Sequence, residues 1–113
     1  VNLRVSKCGG LVNAGNIHRL ALSQGLHCQL GAQVGESGIL SAAGRQAATR
    51  LGELRWCEGS FGRFLLEEDI VEPDLTFGPG GMAPALHDPG LGVTVDFERL
   101  KPYVRESLAV PLT

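Results

Sequence analysis

The apolar positions of this chain alternate between two rhythms. In "NLRVS", Leu3 and Val5 alternate with polar residues, the period of a half-buried strand. "LHCQL" and "LRWC" are similarly short and apolar-rich, and predict two further strands. Between the first two lies "NAGNIHRLALSQG", where Ile17, Leu20 and Ala21 fall on one helical face. Asn13 is its expected cap and Gly25 its expected stop. Between the second and third lies "SGILSAAGRQAATRLG", in which Ile39, Ala43, Ala47 and Leu51 recur at helical spacing. Ser37 is the expected cap there and Gly52 the stop, and the small alanine face lets the helix lie close on a sheet.

Strands near residues 2–7, 26–31 and 54–58, each separated by a helix, must run parallel with right-handed crossovers. The fold class is therefore α/β, either a doubly wound sheet or part of a (β/α)₈ barrel. The alternation stops after Leu66. From there the chain is turn-rich, with short extended pieces such as "GVTVDF" and a short helix expected in "FERLKPYVRE", interrupted at Pro102. Residues 1–66 thus read as βα units and residues 67–113 as a tail that needs something to lie against.

Composition narrows the partners. At 113 residues the chain is one domain at most, and 43% hydrophobic with net charge −2 it is ordinary globular material. A basic footprint is missing, so nucleic acid is not expected. No apolar run approaches the ~18 residues that span a bilayer, so no membrane association is expected. Three widely spaced cysteines (Cys8, Cys28, Cys57) fit neither a disulfide framework nor a zinc motif. They read as reduced thiols filling apolar space, in the cytoplasm.

In parallel α/β folds, ligands gather at the C-terminal ends of the strands. The first predicted strand ends in Ser6-Lys7-Cys8-Gly9-Gly10, the second runs into "GAQVGESG" with Gln33, Glu36 and Ser37, and the third ends in Cys57-Glu58-Gly59. Each has a plainer reading. Lys7 could be a solvated rim charge, Glu36 could favour a helix N-terminus, and Glu58 could pair with Lys7 or Arg63. The glycine pair is a weak signal for a phosphate cradle. His18, His27 and His87 share no metal-ligand spacing, and His18 reads as a helix-surface residue.

Four phrases occur in order: "VSKCGGLVNAGNIHRLALSQGL", "GESGILSAAGRQAA", "CEGSFGRFLLEEDIV" and "PGLGVTVD". Together they resemble the C-terminal portion of enolase-superfamily enzymes, of the muconate cycloisomerase-like (mandelate racemase/muconate lactonizing enzyme) family. The resemblance implies a modified (β/α)₈ barrel in which this chain supplies the sixth, seventh and eighth strands. By the same resemblance Lys7 and Glu58 are the catalytic residues, Lys7 being one of two lysines that face each other across a bound carboxylate. Gln33, Glu36 and Ser37 are then substrate-binding. The implied chemistry is proton abstraction beside a carboxylate, with Mg²⁺ holding the enediolate charge in an isomerase or lyase. The metal ligands come from strands that this chain does not carry, so no metal ligand is assigned here. A piece of this kind is expected to be inactive by itself, to need the remaining barrel and capping segments, or to self-associate. "CEGSFG" lacks the aspartate pair that dipeptide epimerases of the subgroup carry, which argues against a dipeptide substrate. Two other readings stand beside this one: a non-catalytic α/β module that assembles with itself or another chain, and a small phosphate-binding domain built on "CGG".

Overall fold

A computed structural model describes residues 1–111. Three parallel strands lie side by side in chain order: β1 (Asn2–Leu3), β2 (Cys28–Leu30) and β3 (Leu54–Cys57). Helix α2 (Leu11–Ser23) connects the first pair and α3 (Gly38–Arg50) the second. The parallel order and the intervening helices are as the sequence predicts.

The first strand is shorter than its pattern implied. It ends at Leu3, and Val5–Cys8 form a single helical turn, α1, closed by Gly9 in the left-handed region. The alternation of Leu3 and Val5 therefore does not mark one strand, because a two-residue period over so few positions also fits a strand running straight into a turn. Lys7 lies on that turn, exposed, rather than at the strand end.

Leu3, Cys28 and Leu30 point to the helix side of the sheet and are buried with Ala21 and Ala47; Cys8, Ala48, Leu51 and Leu54 pack around them. Burying each leucine contributes about 1.5–3 kcal/mol, and the alanines let both helices lie close. Cys28 is the apolar filler expected of it, whereas Cys57 is exposed. The register Asn2↔Gln29↔Trp56 lays a row across the sheet, and Trp56 in that row is 62% exposed. A bulge between Cys28 and Gln29 sets the phase of β3 against β2.

The helices differ from expectation in detail. The buried stripe of α2 is Ala14, His18 and Ala21, while Ile17 and Leu20 are exposed. His18 is thus a buried residue, not a surface one. Asn13 lies inside α2 rather than at its cap, and its side chain donates to the Gly9 carbonyl. Gly25, with φ of 71°, follows the end of α2 as expected. Ser37 does stand at the N-cap of α3, but the carboxylate that receives the Gly38 N–H is Asp69, at 2.9 Å. At the other end of α3 the left-handed residue is Glu53 rather than Gly52.

After β3 the chain forms a short helix α4 (Gly62–Leu65) and then doubles back. β4 (Val71–Glu72) pairs antiparallel with β5 (Thr94–Val95), followed by α5 (Phe97–Leu100) and a 3₁₀ turn at Lys101–Tyr103 that contains Pro102. Asp96 caps α5 through the amides of Glu98 and Arg99. Arg99 gathers Glu68, Glu72 and Asp96 within 3.2 Å, tying the two arms of the tail together. No helix among the described residues is long and apolar enough to cross a membrane.

Candidate functional site

The C-terminal ends of the three strands carry four polar side chains, three of them linked by hydrogen bonds. Arg4 follows β1 directly and is half-buried; its Nη1 donates to Gln33 Oε1 at 3.3 Å. Gln33 follows β2, and its backbone N–H donates to Glu36 Oε2 at 3.0 Å. The ladder continues past β3, where the Glu58 N–H donates to the Leu30 carbonyl at 2.8 Å. The exposed Glu58 carboxylate accepts from Gln29 Nε2, one strand over. Gly59 then brings the backbone against the β2 loop; a Cβ there would lie 2.9 Å from the Ala32 Cβ and 3.8 Å from Glu36 Oε1. That close approach, with φ of 118°, requires glycine.

Gln33, Glu36 and Glu58 are thus assembled at one end of the sheet. Ser37 is half-buried at the start of α3 next to Glu36, and its hydroxyl makes no cap bond. Lys7 stands apart at the exposed rim. The partner of Glu58 is Gln29, and the ion pairs among the described residues are those of Arg99 and Lys101. Neither Lys7 nor Arg63 therefore pairs with Glu58 here.

Arg4 is the site residue that sequence reading passed over. The signal was present: the strand period ends at Leu3 if Val5 begins the turn, and the next residue then faces the mouth. A guanidinium is permanently protonated, so Arg4 is a fixed cation that can hold a carboxylate but cannot take a proton. Desolvation raises the Cys57 thiol pKa above the ordinary value, which disfavours its nucleophilic thiolate form.

Behind the sheet, a cavity of about 300 Å³ opens between α3 and the tail. Leu30, Arg45, Cys57, Phe77 and Met82 line it together with Glu36 and Glu58. Among the described residues, no group of three or more His, Cys, Asp or Glu side chains could hold a metal ion. Glu36 and Glu58 each already accept from a neutral donor.

The chain matches known proteins along most of its length. Its sequence is 29% identical over 98 residues to muconate cycloisomerase 1-2 of Acinetobacter lwoffii, covering 87% of this chain and 25% of that protein. It is 28% identical over 107 residues to chloromuconate cycloisomerase of Cupriavidus pinatubonensis, covering 95% of this chain and 28% of the relative. Among solved structures it resembles the N-succinyl Arg/Lys racemase from Bacillus cereus with a TM-score of 0.80 and 27% identity, over 94% of this chain and 27% of that one. The muconate lactonizing enzyme from Pseudomonas putida superposes with a TM-score of 0.74 at 28% identity, over 92% of this chain and 28% of that one. The chain therefore spans about a quarter of the length of these relatives. Those structures are enolase-superfamily barrel enzymes, and the three βα units seen here are a portion of such a (β/α)₈ barrel. The enolase C-terminal domain-like family model accounts for residues 1–100, and the chain belongs to that family.

Proposed function

We propose that this chain forms one side of the mouth of an isomerase or lyase that removes a proton beside a substrate carboxylate. The observation that supports the reading most is the placement of the linked Arg4, Gln33 and Glu36, and of Glu58 beside them, at the C-terminal ends of adjacent parallel strands. The names of the relatives, cycloisomerases and a racemase, point to the same reaction class.

In this reading Arg4 supplies a fixed positive charge for the substrate carboxylate, and Gln33 holds the guanidinium in place. Glu36 and Ser37 border the substrate from the second strand. Glu58, oriented by Gln29, faces it from the third. Lys7 is the proton-transfer group of this segment, carried on a flexible stem at the exposed rim. A carbon acid beside a carboxylate is weak, and Mg²⁺ bound by residues outside this chain would stabilise the charge that develops. The tail from residue 67 packs back toward the barrel and capping segments; the last two of its residues 67–113 lie outside the described residues. Alone, the chain is inactive.

Turnover in the intact enzyme tests the assignment, with acylamino acids and muconates as substrates and Mg²⁺ present. Lys7→Ala should lower kcat by about a hundred- to ten-thousandfold, the range for losing a general acid or base. Arg4→Gln should raise KM more than it lowers kcat, as expected for a binding group. Unchanged turnover in Lys7→Ala would show that the lysine is a rim charge, and an unchanged KM in Arg4→Gln would remove the carboxylate role.

A further inference from the structure

Arg45 is a cation in the interior, on the helix side of the sheet. It is only 9% exposed, and its Nε–H is buried without a hydrogen-bond partner. Its Nη2 donates to the Leu75 carbonyl and to Ser60 Oγ at 3.4 Å, and its guanidinium lies 5.9 Å from the centroid of the Phe77 ring. Burial lowers its pKa from the ordinary arginine value, and Asp74 offsets part of that cost. No carboxylate lies within ion-pairing distance among the described residues. A buried charge so incompletely paired is an expensive way to hold a core together.

What Arg45 touches accounts for it. Ser60 has a φ of 62°, a conformation that a side chain other than glycine resists, and it sits two residues beyond Glu58. The strained turn is laced to the tail: the Phe77 N–H donates to the Ser60 carbonyl at 3.3 Å and the Arg63 N–H to Thr76 Oγ1 at 3.2 Å. Arg45 reaches both sides of that lacing at once, Ser60 on the turn and Leu75 and Phe77 on the tail. Its neighbour Gln46 grips the tail further along, at the Leu86 and Leu91 carbonyls.

We infer that Arg45 is a positioning residue for Glu58: from behind the sheet it holds the Gly59–Ser60 turn in its strained form and so fixes where the Glu58 carboxylate stands at the mouth. The inference rests on the proposed role of Glu58. A lysine keeps one bond to the tail but cannot bond Ser60, bond Leu75 and cover Phe77 together, because only a planar guanidinium presents donors and a stacking face at the same time. A glycine at position 60 removes the resistance to positive φ and lessens the need for the clamp.

The test uses the intact enzyme and steady-state kinetics of Glu58→Gln, Arg45→Lys, Arg45→Met, Ser60→Gly and the two double variants that add Ser60→Gly to Arg45→Lys and to Arg45→Met. Arg45→Met should lower kcat by about ten- to a hundredfold, the scale of an ångström-level misplacement, with KM nearly unchanged. Arg45→Lys should fall between it and the wild type, and keeps the test alive should Arg45→Met fail to fold. Adding Ser60→Gly to either Arg45 variant should restore most of the lost kcat. If Glu58→Gln leaves kcat and KM unchanged, the role of Glu58 itself is overturned. If Glu58→Gln is impaired while folded Arg45 variants turn over normally, or Ser60→Gly restores nothing, Arg45 is structural and the inference fails.

Discussion

At the scale of the residue, two of the site's polar groups are each fixed by a neighbour one strand away. Gln33 holds Arg4, and Gln29 holds Glu58. Away from the mouth, Asp74 shows how the tail depends on similar bonds. Its pKa is lowered first by the Thr76 backbone N–H, at 2.8 Å, then by the Thr76 hydroxyl, and to a smaller extent by Arg63 and Arg45. A folded-state pKa below the unfolded one means that the carboxylate form favours folding. That contribution is present above the ordinary aspartate value of about 3.9, and it disappears as the pH falls through the lower folded value. Asp74→Asn should accordingly be less stable than wild type at neutral pH, with the difference in melting temperature closing in strong acid. A constant difference at all pH values would disprove the charge effect. Cys57 carries the opposite shift, raised by desolvation. Its alkylation by iodoacetamide at neutral pH should be slower than that of an unstructured thiol, and should accelerate only in alkali. Glu36, Gln33 and Glu58 could be read from the sequence because strand ends are where parallel folds gather ligands. Arg4 was harder to find, because Leu3-Arg4-Val5 fits a continuing strand as well as it fits a strand that stops, and only the second reading puts Arg4 at a strand end.

The elements carry a second lesson, about partners distant in sequence. Both helices and their parallel order were legible, since the small and apolar residues of α3 recur at helical spacing and glycine ends α2. Their caps were not. Ser37 stands where a cap belongs, yet the bond to Gly38 comes from Asp69, 31 residues away. Asp69 also accepts the Ile70 N–H at 2.7 Å, so one carboxylate fixes the start of α3 and the entry to β4. Asp69→Ala should therefore cost about 1 kcal/mol, as for losing a helix cap, while Ser37→Ala should cost a few tenths at most. Urea denaturation of the two variants would show it, and equal losses would contradict it. Gly38 is tighter still: a Cβ would lie 2.0 Å from Val71 Cγ2. Gly38→Ala should cost about 1–3 kcal/mol by overpacking, measured in the same titration. The buried stripe of α2 was misjudged because Ile17 and Leu20 outrank His18 in hydropathy, whereas burial follows whichever face meets the sheet and α3.

For the whole molecule, the three strands form an open sheet. β1 and β3 each have one strand neighbour among the described residues, and Trp56, Phe64 and Phe97 are largely exposed. Unpaired edges and exposed aromatics favour association, so the isolated chain should sediment as a concentration-dependent mixture. A single monomer across a wide concentration range, melting cooperatively, would refute that. In a complete barrel the same edges meet further strands, and in the proposed reading Arg4, Gln33, Glu36 and Glu58 face a shared mouth. The central claim is that this mouth serves proton abstraction beside a carboxylate, and the most direct measurement is hydrogen exchange at that carbon. The intact enzyme with Mg²⁺ and its carboxylate substrate in deuterium oxide should incorporate deuterium at the carbon next to the carboxylate, followed by proton NMR, and Lys7→Ala should suppress that incorporation. Turnover without any exchange in either protein, or exchange equally fast in Lys7→Ala and wild type, would contradict the account.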